Sequence, residues 1–455
     1  MDSADLVTQL RRLVGDRHVL VDADMRATYE TDWTGAFSGI TPCVVRPGST
    51  IEVSQVLELC AALNAPVVPQ GGNTGLVGGS VPVDGEVVLS TQRLKSVEEV
   101  DTLDPQITVG AGVTLAELQK KVLSSGFDFA VDLAARDSAT LGGMVATNAG
   151  GMHVVAYGPM RDQLVGIEAV FADGRVVQHL RGLDKDNTGY DLEGLLCGSE
   201  GTLAVITRVR VRLVPHESES AVSMVSLATM ADAVAVASSL KERVVGLRAI
   251  EMLTPSTLAL VASHLNARPP MEEAEVVLLV EVAGGEDAAQ TLAGQLELQG
   301  PLVQDAIVAT GPGGQLRIWR FRENATEAIA REGRPCKLDV SVPLQNLADF
   351  CSELYDVVAS VADDATTYLF GHLGDGNVHV NVVGADDPNS LTRAVLELVE
   401  SHGGSISAEH GIGRVKRDYL TMNRSADEIS VFRTIKDALD PSGIMNPNVL
   451  LPKSD

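Results

Sequence analysis

Two short segments near the C-terminus hold residues whose types can do chemistry: FGHLGDGNVHVNV, Phe370 to Val382, and SAEHGIG, Ser407 to Gly413. His372 ends an apolar run, Tyr368-Leu369-Phe370. Gly374-Asp375-Gly376 supplies a turn, and Val378 to Val382 alternates like a strand. A hairpin of that shape is expected to bring His372 and His379 opposite one another, with His379 and Asn381 on one face. Two imidazoles and the Glu409 carboxylate make a two-histidine, one-glutamate set. Such a set suits a divalent metal, zinc first and manganese second, with a position left open for a reacting molecule. His410 follows Glu409 directly and is a candidate base and substrate contact. A single histidine in a strand is usually a packing residue. Here four of the nine histidines (372, 379, 402 and 410) fall within one stretch, three of them among glycines, and that favours chemistry. His402, in a Ser-His-Gly-Gly turn, reads as a surface residue.

Glycine-rich loops lie far upstream. They are Pro69 to Ser80 (PQGGNTGLVGGS), Asp137 to Gly151 (DSATLGGMVATNAGG) and Gly198 to Leu203 (GSEGTL). Loops of this composition let backbone N–H groups approach an anion closely, and the second opens with helix-capping residues that suit a phosphate. One such loop is ordinarily a plain turn. Three in one region point to a large phosphate-bearing cofactor, although neither a G-x-G-x-x-G fingerprint nor a Walker A sequence occurs.

The elements that must position these residues follow from pattern. Residues 1 to about 40 read as a helical lead-in. Short β-rich runs then alternate with helices: strands at Val44–Pro47, Pro66–Pro69, Glu86–Ser90 and Gln106–Val109, helices at Ser54–Leu63 and Leu115–Ser124. Val165–Phe171 and Arg175–Gln178 form a hairpin, and Leu203–Val214 is strand-like. A second α+β region follows the polar segment His216–Ser220. Its expected strands are Ala221–Leu227, Glu275–Val282, Lys337–Val342, Thr366–Phe370 and Val378–Val383. Its expected helices are Met230–Leu240, Ala288–Gln299, Leu316–Ala330, Leu344–Ala359 and Ser390–His402. The division is thus 1–215, 216–440 and a tail, 441–455, that returns to the first part.

Bulk properties exclude some functions. With 35 basic and 61 acidic residues the net charge is −26, which leaves no basic footprint for nucleic acid and no attraction to anionic lipid. The five cysteines (43, 60, 197, 336 and 351) show no C-x-x-C, which argues against iron–sulfur and four-cysteine zinc motifs and fits a reducing compartment. The opening residues do not read as a signal peptide, and no run reaches the ~18 apolar residues of a membrane span. A cytoplasmic location is expected.

The loops PQGGNTGLVGGSVPV, KDNTGYDL, GSEGTL, GHLGDGNVHVNV and AEHGIGRVKRDYL, in this order, resemble the vanillyl-alcohol-oxidase/para-cresol-methylhydroxylase superfamily of FAD flavoproteins. The resemblance runs from about Thr41 to Pro452 and is strongest to the D-2-hydroxy-acid dehydrogenases, with Lys185 to Asp191 typical of the hydroxyglutarate branch. It implies an α+β fold, in which a two-part FAD-binding domain is joined to a substrate domain with an antiparallel sheet. It also implies that Gln70, Gly71, Gly72, Asn73, Thr74, Gly75, Gly79 and Ser80 cradle the FAD pyrophosphate. Ser138, Gly142, Gly143, Asn148 and Gly151 then line the flavin and ribityl chain. Glu200, Gly201 and Ile206 lie near the adenine side, and Asn448 closes the site. The first loop lacks the histidine through which some relatives attach FAD, so non-covalent FAD is expected.

The resemblance further places Arg322, Thr326 and Lys337 at a substrate carboxylate, with Arg320 a competing candidate. Arg322 and Thr326, four apart in an expected helix, should share one face. The implied reaction is oxidation of D-2-hydroxyglutarate to 2-oxoglutarate. His372, His379 and Glu409 hold the metal, Asn381 orients the substrate, His410 takes the hydroxyl proton, and a hydride passes to flavin N5. D-lactate, D-malate and glycolate are alternative substrates. The electrons go to an outside acceptor, an electron-transfer flavoprotein or a quinone pathway, and a homodimer is a further expectation. The rival of another class is a metallohydrolase built on the same metal set, which leaves the glycine loops unexplained.

Overall fold

A computed structural model describes residues 3–453 apart from 84, 272, 273 and 285. The chain divides into two compact units: residues 1–150, 159–216 and 410–455 form the first, and 151–158 with 217–409 form the second.

Among the described residues the first unit holds ten strands: β1 Val19–Leu20, β2 Val44–Val45, β3 Val67–Gln70, β4 Val87–Ser90, β5 Gln106–Gly110, β6 Phe127–Asp128, β7 Leu164–Phe171, β8 Val176–His179, β9 Ala204–Arg212 and β10 Val214–Pro215. One four-stranded sheet has the order β1-β2-β4-β3 and pairs in parallel except at β1–β2. A second, antiparallel throughout, has the order β5-β9-β7-β8. β4 and β5 are buried at every residue, as near-continuous Val, Leu and Ile runs require. The helix Leu115–Leu123 starts where Thr114 and Glu117 form a capping box, and it buries Leu115, Leu118 and Val122 at helical spacing.

The return of the chain to this unit begins at His410 rather than at 441, because that whole segment is bonded into it. Ile412 and Gly413 donate to Glu200, Arg414 N–H donates to Val77 O, and Lys436 Nζ donates to Thr202 O. The helix Ala426–Leu439 lays Ile435 and Leu439 against the core, and Met445 bridges to Val67.

The second unit is built on one antiparallel seven-stranded sheet. Its strands are β11 Ser220–Leu227, β12 Leu247–Leu253, β13 Val276–Ala283, β14 Val303–Ala309, β15 Cys336–Ser341, β16 Thr366–His372 and β17 Asn377–Val383, in the order β14-β11-β13-β12-β16-β17-β15. One face packs on the helices Pro255–His264, Pro312–Glu323 and Ala325–Glu332 through Met224, Leu253, Leu279, Phe321, Ile329 and Phe370. The expected single helix 316–330 is in fact two, broken at Asn324, whose amide bonds back to Arg320 O. β12, β14 and the helices Pro255–His264 and Ala426–Leu439 were not anticipated by the sequence reading.

Candidate functional site

The β16–β17 hairpin turns through Leu373–Asp375, with Gly376 at φ 78. A Cβ on Gly376 would lie 2.2 Å from Val342 O, so both the conformation and the space demand glycine there. The register sets His379 opposite Phe370, not opposite His372 as expected. His372 lies beyond the last paired position of β16 against β17, and the two imidazoles meet edge to face with centroids 5.3 Å apart. Facing positions then put a polar row on one face of the sheet: Glu251 opposite His372, Asp339 opposite His379, and Lys337 and Tyr368 opposite Asn381.

One ligand atom from each of His372, His379 and Glu409 lies within 4.8 Å of the others. His372 Nε2 is 3.5 Å from Glu409 Oε1. The opposite ring nitrogens are backed by buried carboxylates: His372 Nδ1 is 2.6 Å from Glu251 Oε1, and His379 Nδ1 is 3.4 Å from Asp339 Oδ1. Asp339, 2% exposed, also accepts from Asn377 Nδ2 and from the Glu409 backbone N–H. It thereby fixes two of the three candidate ligands. A carboxylate behind each imidazole is the outer-shell arrangement that orients histidine ligands toward a metal, so the donor set fits a divalent ion.

Charge is unevenly shared in this row. Burial pulls His372 down, but Glu251 and Glu409 outweigh it and push the imidazole up to about 9. Burial dominates at His379 and lowers it despite Asp339. Glu251 is fully buried, which pushes its carboxyl up, yet His372 and Arg322 hold it below the ordinary value.

The substrate-contact candidates do not all gather as expected. Arg322 is buried, its Nε donates to Glu251 Oε2 at 2.7 Å, and its guanidinium lies 4.7 Å over the Phe370 ring. Thr326 is exposed and does not share Arg322's face, because the helix breaks between them. Lys337 is exposed on β15, an edge strand, on the face that carries Asn381, which is buried. His410 follows Glu409 along the chain and opens the segment grouped with the first unit. Glu251 and Asp339, the acids behind the two imidazoles, are not singled out by the motifs. Their signal was a single acid inside an apolar run, Ala249-Ile250-Glu251-Met252-Leu253 and Leu338-Asp339-Val340.

In the first unit the glycine loops meet as a cradle. A Cβ on Gly72 would lie 1.8 Å from Ser138 O, and one on Gly71 would lie 2.3 Å from Thr140 Oγ1. Gly143 sits against the same hydroxyl at 3.3 Å, and nothing lies within 4 Å of a Cβ at Gly75. Thr140 Oγ1 is buried without a hydrogen-bond partner, a polar atom set between two glycine loops. That combination fits a phosphate-bearing cofactor approached by backbone.

Several side chains assigned to the cofactor do other work. Gln70 Nε2 donates to Tyr29 O and Ser80 O, Asn73 Nδ2 donates to Thr31 O, and Ser80 Oγ donates to Asn73 Oδ1. These shape the first loop, so what remains for an anion is its backbone. Thr74 O accepts from Trp33 Nε1. Asn148, at φ 50, accepts from the Arg161 N–H. A Cβ on Gly142 would meet that of Ala111 at 2.5 Å, one on Gly79 would be in ordinary contact with Glu200, and Gly201 at φ 69 packs on Pro69. Glu200, buried at φ 51, accepts through its carboxylate from the Ile412 and Gly413 N–H groups. Ile206 is buried in β9, Asn448 donates to Glu86, and Gly151 groups with the second unit.

Comparison with known proteins agrees with this geometry. Residues 41–179 match the family model "FAD binding domain", and 216–450 match "FAD linked oxidases, C-terminal domain". The mitochondrial D-2-hydroxyglutarate dehydrogenase of Arabidopsis thaliana is 36% identical over 470 residues, spanning 100% of this chain and 82% of its own. That of Bos taurus is 37% identical over 460 residues, spanning 99% and 84%. The solved 4-ethylphenol oxidase from Gulosibacter chungangensis, in its isoeugenol complex, shares the fold at TM-score 0.77 and 18% identity, over 99% of this chain and 97% of its own. The chain belongs to the FAD linked oxidases, flavoproteins of the vanillyl-alcohol-oxidase/para-cresol-methylhydroxylase type. Within them it is an FAD-dependent D-2-hydroxy-acid dehydrogenase.

Proposed function

We propose that the protein oxidises D-2-hydroxyglutarate to 2-oxoglutarate with non-covalent FAD and a divalent metal, and passes the electrons to an external acceptor. The observation that carries the metal is the convergence of His372, His379 and Glu409 within 4.8 Å, with a carboxylate behind each imidazole. FAD would supply the acceptor for the C2 hydride, and a divalent ion held by His372, His379 and Glu409 would acidify the 2-hydroxyl. The chain's own residues do the rest. His410, next to Glu409, receives the hydroxyl proton. Asn381, buried beside His379 on β17, orients the substrate. Arg322, held by Glu251, supplies positive charge for a substrate carboxylate, and Lys337 on the same sheet face adds a second cation. Two cationic side chains favour a dicarboxylate over D-lactate or glycolate.

Anaerobic flavin bleaching tests this. The metal-loaded protein is mixed separately with D-2-hydroxyglutarate, L-2-hydroxyglutarate, D-malate, D-lactate and glycolate. Fast bleaching by the D-dicarboxylates is expected, and it should vanish on chelation while FAD stays bound. Bleaching mainly by D-lactate or glycolate overturns the substrate and the roles of Arg322 and Lys337. Full activity in metal-free protein overturns the metal.

A further inference from the structure

Glu251 lies at the centre of the second unit, on β12, and is 0% exposed. Its two oxygens serve two different groups: Oε1 faces His372 Nδ1 at 2.6 Å, and Oε2 accepts from Arg322 Nε at 2.7 Å. The partners lie 121 and 71 residues away in sequence, on β16 and on the helix Pro312–Glu323. We propose that Glu251 is a positioning residue that selects the histidine tautomer able to bind metal, and that it can do so only because a carboxylate accepts at both ends.

The argument is one of donors and acceptors. A guanidinium Nε–H only donates. An imidazole nitrogen donates or accepts, according to which nitrogen carries the proton. With a carboxylate between them, both neighbours donate: Arg322 from Nε and His372 from Nδ1. Once His372 gives up its second proton, the one that remains is held on Nδ1 and the lone pair falls on Nε2, the nitrogen that faces Glu409. A carboxamide in the same place has one accepting and one donating end. Arg322 cannot turn acceptor, so it claims the oxygen, and the amide NH2 is left pointing at His372 Nδ1. His372 answers by accepting there and moving its proton to Nε2, which blocks the position meant for metal. This inference rests on the metal reading above.

The test is metal affinity, measured by zinc competition against a fluorescent chelator on metal-stripped full-length protein. Glu251→Gln should weaken zinc by about 10- to 100-fold, the range for loss of an outer-shell partner. The double variant Glu251→Gln with Arg322→Met removes the claim on the amide oxygen. The amide then turns to accept from His372 Nδ1–H, and zinc affinity should return to within a few-fold of wild type. That recovery distinguishes tautomer selection from a merely structural role, which a second substitution would worsen. Wild-type affinity in Glu251→Gln, or a double variant as weak as the single one, overturns the proposal. Nitrogen-15 shifts of zinc-loaded wild-type protein give a check that needs no variant. Metal on His372 Nε2 with the proton on Nδ1 is expected, and metal on Nδ1 sinks the idea. If wild-type protein binds zinc no better than a His372→Ala variant, the metal reading itself fails, and that outcome is distinct from failure at Glu251 alone.

Discussion

At the scale of single residues, the grouping of His372, His379 and Glu409 was legible because types and glycine punctuation sit close together in sequence. Glu251 was not, because its meaning comes from two partners far along the chain, and an acid within an apolar run has no local signature of role. Arg322 was singled out in the sequence, but not as half of a buried ion pair. A buried charge lacking its partner is strongly destabilising, so the two must be read together. The glycine cradle gives a sharper prediction. Gly72→Ala places a methyl 1.8 Å from the Ser138 carbonyl oxygen, a contact that only backbone movement relieves. We expect about 1–3 kcal/mol lost from stability, as for other overpacked sites, together with weaker FAD uptake. Unchanged FAD affinity and melting temperature would show that the two loops can separate freely.

At the scale of elements, strands with clean apolar runs were found within a residue or two. Gln106–Gly110 and Ser220–Leu227 are examples, since only uncharged polar residues interrupt their apolar pattern. β12 escaped because Arg248 and Glu251 break its apolar run, and the sheet tolerates them only through ion pairs. β14 escaped because, as an edge strand, it exposes Asp305 and Ile307 alike. The β7–β8 hairpin carries a pH-dependent prediction. His179 at the end of β8 hydrogen-bonds the Glu193 carboxylate and, at 3.1 Å, Asp186. The Glu193 hydrogen bond is the largest influence and raises His179 above the ordinary 6.5; burial opposes it, and charge from both acids with the Asp186 hydrogen bond adds to the rise. Its folded-state affinity for the proton exceeds the unfolded one. The stabilisation is therefore full below pH 6.5 and fades as pH rises through the raised value. Melting temperatures of wild type and His179→Gln should differ most near pH 6 and converge toward pH 9. A gap that stays constant, or widens with pH, contradicts the ion-pair account.

At the scale of the whole molecule, the resemblance conveyed the division into a cofactor-binding part and a substrate part, but not where the chain changes sides. The short helix Val154–Tyr157 packs on β12 although the sequence around it belongs to the other unit. Nothing in its composition marks that exchange. The return at His410 was likewise hidden, since its evidence is hydrogen bonds to residues 77, 200 and 202. The first unit is thus assembled from three pieces of chain. A fragment ending at residue 216 lacks Ile435, Leu439, Ile444 and Met445 from its core. Expressed alone it should be insoluble or expanded by circular dichroism and should retain no yellow colour. A folded, FAD-loaded fragment contradicts the assignment of 410–455 to this unit.

The arrangement around Glu200 also sets an order of events at the ribosome. Its side chain is buried, and the backbone N–H groups that receive its carboxylate belong to Ile412 and Gly413, 212 and 213 residues further on. Translation at about 5–20 residues per second separates the two by roughly 10–40 s. For that interval an acid destined for the interior has no N–H partner from the final turn, and the nascent first unit stays unsealed on that side. Residues 410–455 are then what latches the cofactor-binding unit shut, so that unit closes only after synthesis has passed Gly413.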